Sequence, residues 1–251
     1  MQSGIRNSTP WQDGLRWFGR DGAARGSGHG LPRAGPDRVS GEMSEPAGIG
    51  SSTQMSLSEV AREFWWPIYG DARDAGWSPL DAAALTGRLL GRLAMGSPFL
   101  RHEDHEGRLR LLLQSELKVV AEQVRSGVPG PAAPSGFSVD LILAEERDDY
   151  GPVAPTARRF RERWATVVLE RALDGVRRRA QGTPLGSRLE RLIPFLATEV
   201  PDWHQTDITE AVDGSEVSNL RDDFRREVRR IVGETVTSPI VLDSELLALF
   251  S

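Results

Sequence analysis

The chain has 251 residues, of which 39% are hydrophobic and 7% aromatic, with a formal net charge of -5 and no cysteine. These values exclude disulfides, thiolate catalysis and cysteine-ligated metals, and they argue against indiscriminate nucleic-acid binding. They fit small helical cores of Leu, Val and Ala better than a large β-sandwich. No apolar run reaches the roughly 18 residues of a membrane-crossing helix, so a cytoplasmic chain with no membrane partner is expected.

Residues 1–54 are dominated by Gly, Ser, Pro and Arg without a sustained period and read as a disordered leader, with Met43 and Met55 as alternative starts. At Ser56 the texture changes. Ser58 and Glu59 lead into Val60, Phe64, Trp65 and Ile68 at helical spacing, which predicts one helix ending near Gly76. A second helix starts at Ser78-Pro79-Leu80-Asp81, where Ser caps, Pro suits the first turn and Asp favours the helix dipole. Its buried face is Leu85, Leu89, Leu90 and Leu93, and Gly96-Ser97-Pro98 closes it. A third helix, from about His105 to Val124, carries Leu109, Leu112, Leu113, Leu117 and Val120 along one stripe. These three antiparallel helices make a first module, residues 55–126.

Residues 127–155, rich in Pro, Gly and Ala, read as a flexible linker with a weakly docked apolar island at 137–143. The second module, 156–251, opens with a long amphipathic helix over 156–180, marked by Phe160, Trp164, Val167, Val168, Ala172 and Val176 and ending in Arg177, Arg178 and Arg179. A helix over 185–200, kinked at Pro194, follows. Residues 206–213, a turn at Gly214 and a Ser215-capped helix running to Val232 match a helix-turn-helix. Val217, Leu220, Phe224 and Val228 form its inner face. The exposed face then holds Ser215, Ser218, Asn219, Arg221, Arg225, Arg226, Arg229 and Arg230, a set that places early residues against base edges and later arginines against phosphates. An ordinary helical hairpin with solvated arginines satisfies the same pattern, and Asp222, Asp223 and Glu227 interleave with the cations.

No catalytic constellation emerges. His102-Glu103-Asp104-His105-Glu106 lacks the His-Glu-x-x-His spacing of a zinc site and reads as a solvated loop and helix start. Asp148-Asp149 and Asp222-Asp223 read as surface charge, and one of Trp65 and Trp66 as core. An all-α, non-enzymatic chain with no metal and no cofactor is expected.

The order of features over residues 56–250 resembles the sigma factors of bacterial RNA polymerase, in particular a divergent member of the extracytoplasmic-function group. Trp65-Trp66-Pro67 with Tyr69-Gly70-Asp71-Ala72-Arg73 is similar to the opening helix of that family's first domain. Ser78 to Gly87 is similar to its Asp-Ala-Glu-Asp-Leu-Thr-Gln signature, with Ala83, Ala84 and Gly87 in place of Glu, Asp and Gln. The resemblance implies that Asp81, Leu85, Thr86 and Arg88 contact core RNA polymerase. It also implies that Arg108, Arg110 and Lys118 engage melted promoter DNA, while the Ser215–Arg230 set reads duplex promoter DNA. The implied function is transcription initiation, with an anti-sigma or other regulatory protein as a further partner. The alternative is a degenerate sigma-like adaptor that acts through protein contacts without promoter recognition.

Overall fold

The computed structural model describes residues 55–95, 105–148, 150, 156–196 and 214–250. Among them the fold is all-α, with no strand. The expected leader, the Gly96-Ser97-Pro98 stop and the first helix of the helix-turn-helix fall outside the described residues.

Helix α1, Leu57–Glu63, starts with a capping box in which Ser56 accepts from the Glu59 amide and Glu59 reaches back to the Ser56 amide. The single helix expected to Gly76 is broken at Phe64, and α2 begins at Trp65–Asp74. Pro67 supplies the reason: it cannot donate to Glu63 and its ring would clash there, whereas it is tolerated in the first turn of a new helix. Gly76, at φ 89°, closes α2, and the Trp77 amide returns to the Ala72 carbonyl.

Helix α3, Pro79–Met95, is capped by Ser78 as its sequence predicts, with the Asp81 amide donating to Ser78 Oγ at 3.2 Å. Helix α4, Leu109–Arg125, begins four residues later than periodicity indicates. A left-handed turn at Glu106 and Gly107 precedes it, and the Leu109 amide donates to the distant Thr235 carbonyl at 2.9 Å, while Thr237 donates to Gly107. A pairing distant in the chain therefore decides where this helix starts. Helices α1 to α4 share one packed core.

The expected flexible linker is laid down against that core. Its short helix α5, Leu141–Glu146, is capped by Asp140 and buries Ala144, leaving Ile142 and Leu143 exposed. Helix α6, Thr156–Ala180, then runs through the centre of the molecule. Besides the six predicted positions it buries Ala165, Leu169, Leu173 and Ala180, an apolar surface too wide for a single stripe. It therefore packs against α2 on one side and against α8, Gly214–Glu234, on another. The helix expected over 185–200 starts later: α7 covers Leu189–Leu192 and passes into a 3-10 turn, Ile193–Leu196, that contains Pro194, and residues 197–200 lie outside the described residues. A last helix, α9, Pro239–Phe250, buries Glu245, Leu249 and Phe250.

Among the described residues the buried apolar side chains form one cluster, from Met55 to Phe250, that draws on both of the stretches expected to form modules. Phe64 of the α1–α2 junction stacks on Trp164 of α6 with ring centroids 4.0 Å apart. Above this pair, Arg163 of α6 reaches Asp74 of α2 at 2.8 Å and Asp148 at 2.6 Å, and Arg159 bridges the same two carboxylates. Removing Arg163 leaves the fully buried Asp74 side chain without its closest partner. Arg163→Ala is expected to lower the unfolding free energy by about 3–5 kcal/mol, read from the urea midpoint at constant slope.

Candidate functional site

Ser215, Ser218 and Asn219 lie exposed on the first two turns of α8. The arginines that follow are turned to internal partners. Arg221 donates to the Phe195 carbonyl at 2.8 and 3.2 Å and so ties the 3-10 turn to α8; burial, followed by the neighbouring Arg225, lowers its pKa. Arg225 pairs with Asp222 at 2.9 Å, Arg226 with Asp223, and Arg229 with Asp243 of α9 at 2.7 Å. Arg230 pairs with Glu227 at 2.7 Å and with Glu234.

Glu227 is itself a junction. It also accepts from Arg179 of α6, and its carboxylate sits where a Cβ at Gly175 would clash, which explains the glycine at the α6–α8 crossing. Burial alone would raise the Glu227 carboxyl; donation from Arg230 and Arg179 outweighs it and holds the pKa below its ordinary value.

The two arginines expected on melted DNA are structural. Arg110 is 6% exposed and forms a two-pronged pair with Glu245, 1% exposed, at 2.8 and 3.0 Å. Arg108 adds a 3.3 Å contact to the same carboxylate and donates to Ser244 Oγ at 3.0 Å. This Arg-Glu-Arg cluster pins α9 on the start of α4, because a buried carboxylate needs cationic donors on both sides. Lys118 remains exposed on α4.

The expected polymerase set divides in a similar way. Asp81 is exposed and accepts from the Ser78 hydroxyl, and Arg88 is half-buried. Leu85 at 1% and Thr86 at 0% exposure face the core, the Thr86 hydroxyl donating to the Ala82 carbonyl at 2.8 Å. Both lie on the apolar face of α3 and are engaged in internal packing. Gly87, at a position where the resemblance calls for Gln, meets Ala133: a Cβ there would stand 2.8 Å from the Ala133 Cβ.

Of the aromatic pair, Trp66 is the core member, donating from Nε1 to the Tyr150 hydroxyl at 3.0 Å beneath the Arg147 guanidinium, while Trp65 is half-buried. Asp148, read from sequence as surface charge, is instead the shared acceptor of Arg159 and Arg163; Asp149 lies outside the described residues. The same holds for His102, Glu103 and Asp104. Among the described residues no group of three or more acidic or histidine side chains could hold a metal ion, and no helix is long and apolar enough to cross a membrane.

Sequence reasoning assigned no role to Asp71. It lies three residues after Ile68 on the inner face of α2, is 7% exposed, and leaves Oδ1 without a hydrogen-bond partner. It lines a cleft of about 110 Å³ between α2, α3 and α4, with Trp77 on the wall and Lys118 and Arg125 on α4. Its signal in the sequence was an acidic residue on an apolar stripe.

Comparison with family models, with curated proteins and with solved structures gave no match.

Burial raises the Asp71 carboxyl from 3.8 to about 6, with the nearby Asp74 adding to the rise and Arg163 and Lys118 opposing it. Between about pH 4 and pH 6 the folded chain thus holds a proton that the unfolded chain has released, so this group's contribution to stability falls as pH rises through that window. Asp71→Asn removes the loss. Relative to wild type the variant should gain about 2–3 kcal/mol of unfolding free energy between pH 4 and pH 7, measured by urea denaturation at stepped pH. Parallel pH profiles for the two proteins would refute the assignment.

Proposed function

We propose that the chain is a sigma-factor-like regulatory protein that works through protein–protein contacts and does not read promoter DNA. The observation that carries this reading is the internal matching of charge on α8. Arg225, Arg226, Arg229 and Arg230, the expected phosphate contacts, each have a carboxylate partner, and Arg221 is engaged by a backbone carbonyl. A phosphate backbone gains affinity by releasing counterions from an unmatched cationic surface, and a matched surface offers little such gain. Burial of Arg110 points the same way, because a cation expected on melted promoter DNA is spent on Glu245 inside the chain's own core. The net charge of -5 adds a repulsive background for DNA.

The partner is a protein, either core RNA polymerase or an anti-sigma or other regulatory protein, and the role is positional, not chemical. A second reading, a working initiation factor, is favoured by one observation: Ser218 and Asn219 are exposed near the start of α8, where a recognition helix presents its base-reading side chains. The exposed pairs at Asp222 and Asp223 are also individually weak, so phosphates could compete for them.

The two readings separate in one experiment. With duplex promoter DNA from the source organism and stepped salt, the Arg225→Ala/Arg229→Ala double variant should bind within about twofold of wild type, with the slope of log affinity against log salt unchanged. A slope reduced by about 1–2 would establish phosphate contacts and favour the initiation factor. Capture of core RNA polymerase by the full chain, run alongside, identifies the protein partner.

A further inference from the structure

The stretch from residue 128 to 148 is held at two places of very different character. At the first, the chain crosses α3 over two glycines. The Ala132 carbonyl oxygen lies 1.9 Å from where a Cβ at Gly91 would stand, and the Ala133 Cβ lies 2.8 Å from the same point at Gly87. Four residues apart, the two glycines lie one above the other on the helix and leave a channel one backbone wide. Nothing but packing holds the chain there. The backbone hydrogen bonds of residues 128–137 run from Val128 to Gln123 and from Phe137 to Pro134, neither reaching α3, and Pro129, Pro131 and Pro134 have no N–H to give.

The second place is a latch. Tyr69 donates its hydroxyl to Glu145, which also accepts from Arg73 at 2.9 and 3.0 Å. Arg147 lies over the Trp66 ring at 4.1 Å and pairs with Glu170 of α6. Asp148 takes Arg159 and Arg163. Local opening follows the weakest set of contacts, so the α3 end should release while the latch holds.

We propose that residues 128–137 are a strap poised to lift from α3, hinged at the 145–148 latch, and that the protein contacts of the preceding reading select the lifted form. The second half of the statement rests on that reading; the first does not. A ligand that prefers the lifted state shifts the population toward it by its differential affinity, and a substitution that lifts the strap in advance removes that burden from binding.

Gly91→Ala is the test, because alanine ordinarily favours a helix and here its methyl group occupies the Ala132 carbonyl position. The chain has no cysteine, so Ser135→Cys gives a single attachment point for a nitroxide on the exposed outer side of the strap. In the full chain, Gly91→Ala should shorten the label's rotational correlation time severalfold at unchanged helical circular dichroism. Gly233→Ala, a helical glycine with open space around it, should leave the label unaffected. Gly87→Ala, with a less severe overlap, should fall between them and serves if Gly91→Ala fails to fold. Core RNA polymerase should be captured at least fivefold more readily by Gly91→Ala than by wild type.

A label as immobile in the Gly91→Ala and Gly87→Ala proteins as in wild type overturns the strap. A freed label with unchanged capture overturns the selection by partner. If no form captures polymerase, the polymerase-bound version of the preceding reading fails as well, while the label alone still decides whether the strap lifts.

Discussion

The buried guanidinium of Arg163 holds this structure in its observed arrangement. It reaches Asp74 on α2, distant in the chain, and Asp148 in the stretch between α5 and α6, and it does so at 3% side-chain exposure. Gly70 makes the contact possible, since a Cβ there would stand 2.6 Å from the guanidinium carbon. With Arg159 on the next turn of α6 the cluster becomes two cations among two shared carboxylates. Such a cluster gains little net free energy over an apolar equivalent, but it accepts only one register of α6 against α2. The Phe64–Trp164 stack and the latch at 145–148 both depend on that register.

The same use of arginine recurs throughout. Arg110 and Arg108 enclose Glu245, Arg179 and Arg230 enclose Glu227, and Arg171 lies between Glu63 and Glu234. A planar guanidinium suits this task because it forms two parallel bonds to a carboxylate and tolerates burial better than an ammonium group. Such pairing consumes cationic surface on which nucleic-acid binding would depend. It is the ground on which we propose protein, and not phosphate, as the contact of a chain with many arginines and a helix-turn-helix-like pattern.

Much of the helix content was legible in advance, because each element carries its own signals. The Ser78 cap, the α3 stripe, the six inner positions of α6 and the inner face of α8 follow from spacing that no distant contact altered. What escaped were features decided between elements. The break at Phe64 had its cause in Pro67, but the helical spacing ran across it undisturbed. The delayed start of α4 depends on the Thr235 carbonyl, more than a hundred residues away. Asp148 read as surface charge and Arg110 as a contact to melted DNA because burial of a charge is visible only once its counterion is in place.

For the candidate site the division is similar. From the sequence alone came the all-α class, the identity of the core-facing residues in the long helices, and the list of charged side chains available for contacts, since periodicity and composition are local properties. Only the tertiary structure decided which of those charges remain available. The pairs of Arg225, Arg226 and Arg230 are one helical turn long and lie within α8, whereas the pairing of Arg229 with Asp243, the enclosure of Glu245 by Arg110 and Arg108, and the closure of the Gly87–Gly91 channel by residues 131–133 arise where separate stretches of chain meet. Which charge meets a counterion from a separate element, and which backbone crosses a helical glycine, is a matter of packing that no local pattern encodes.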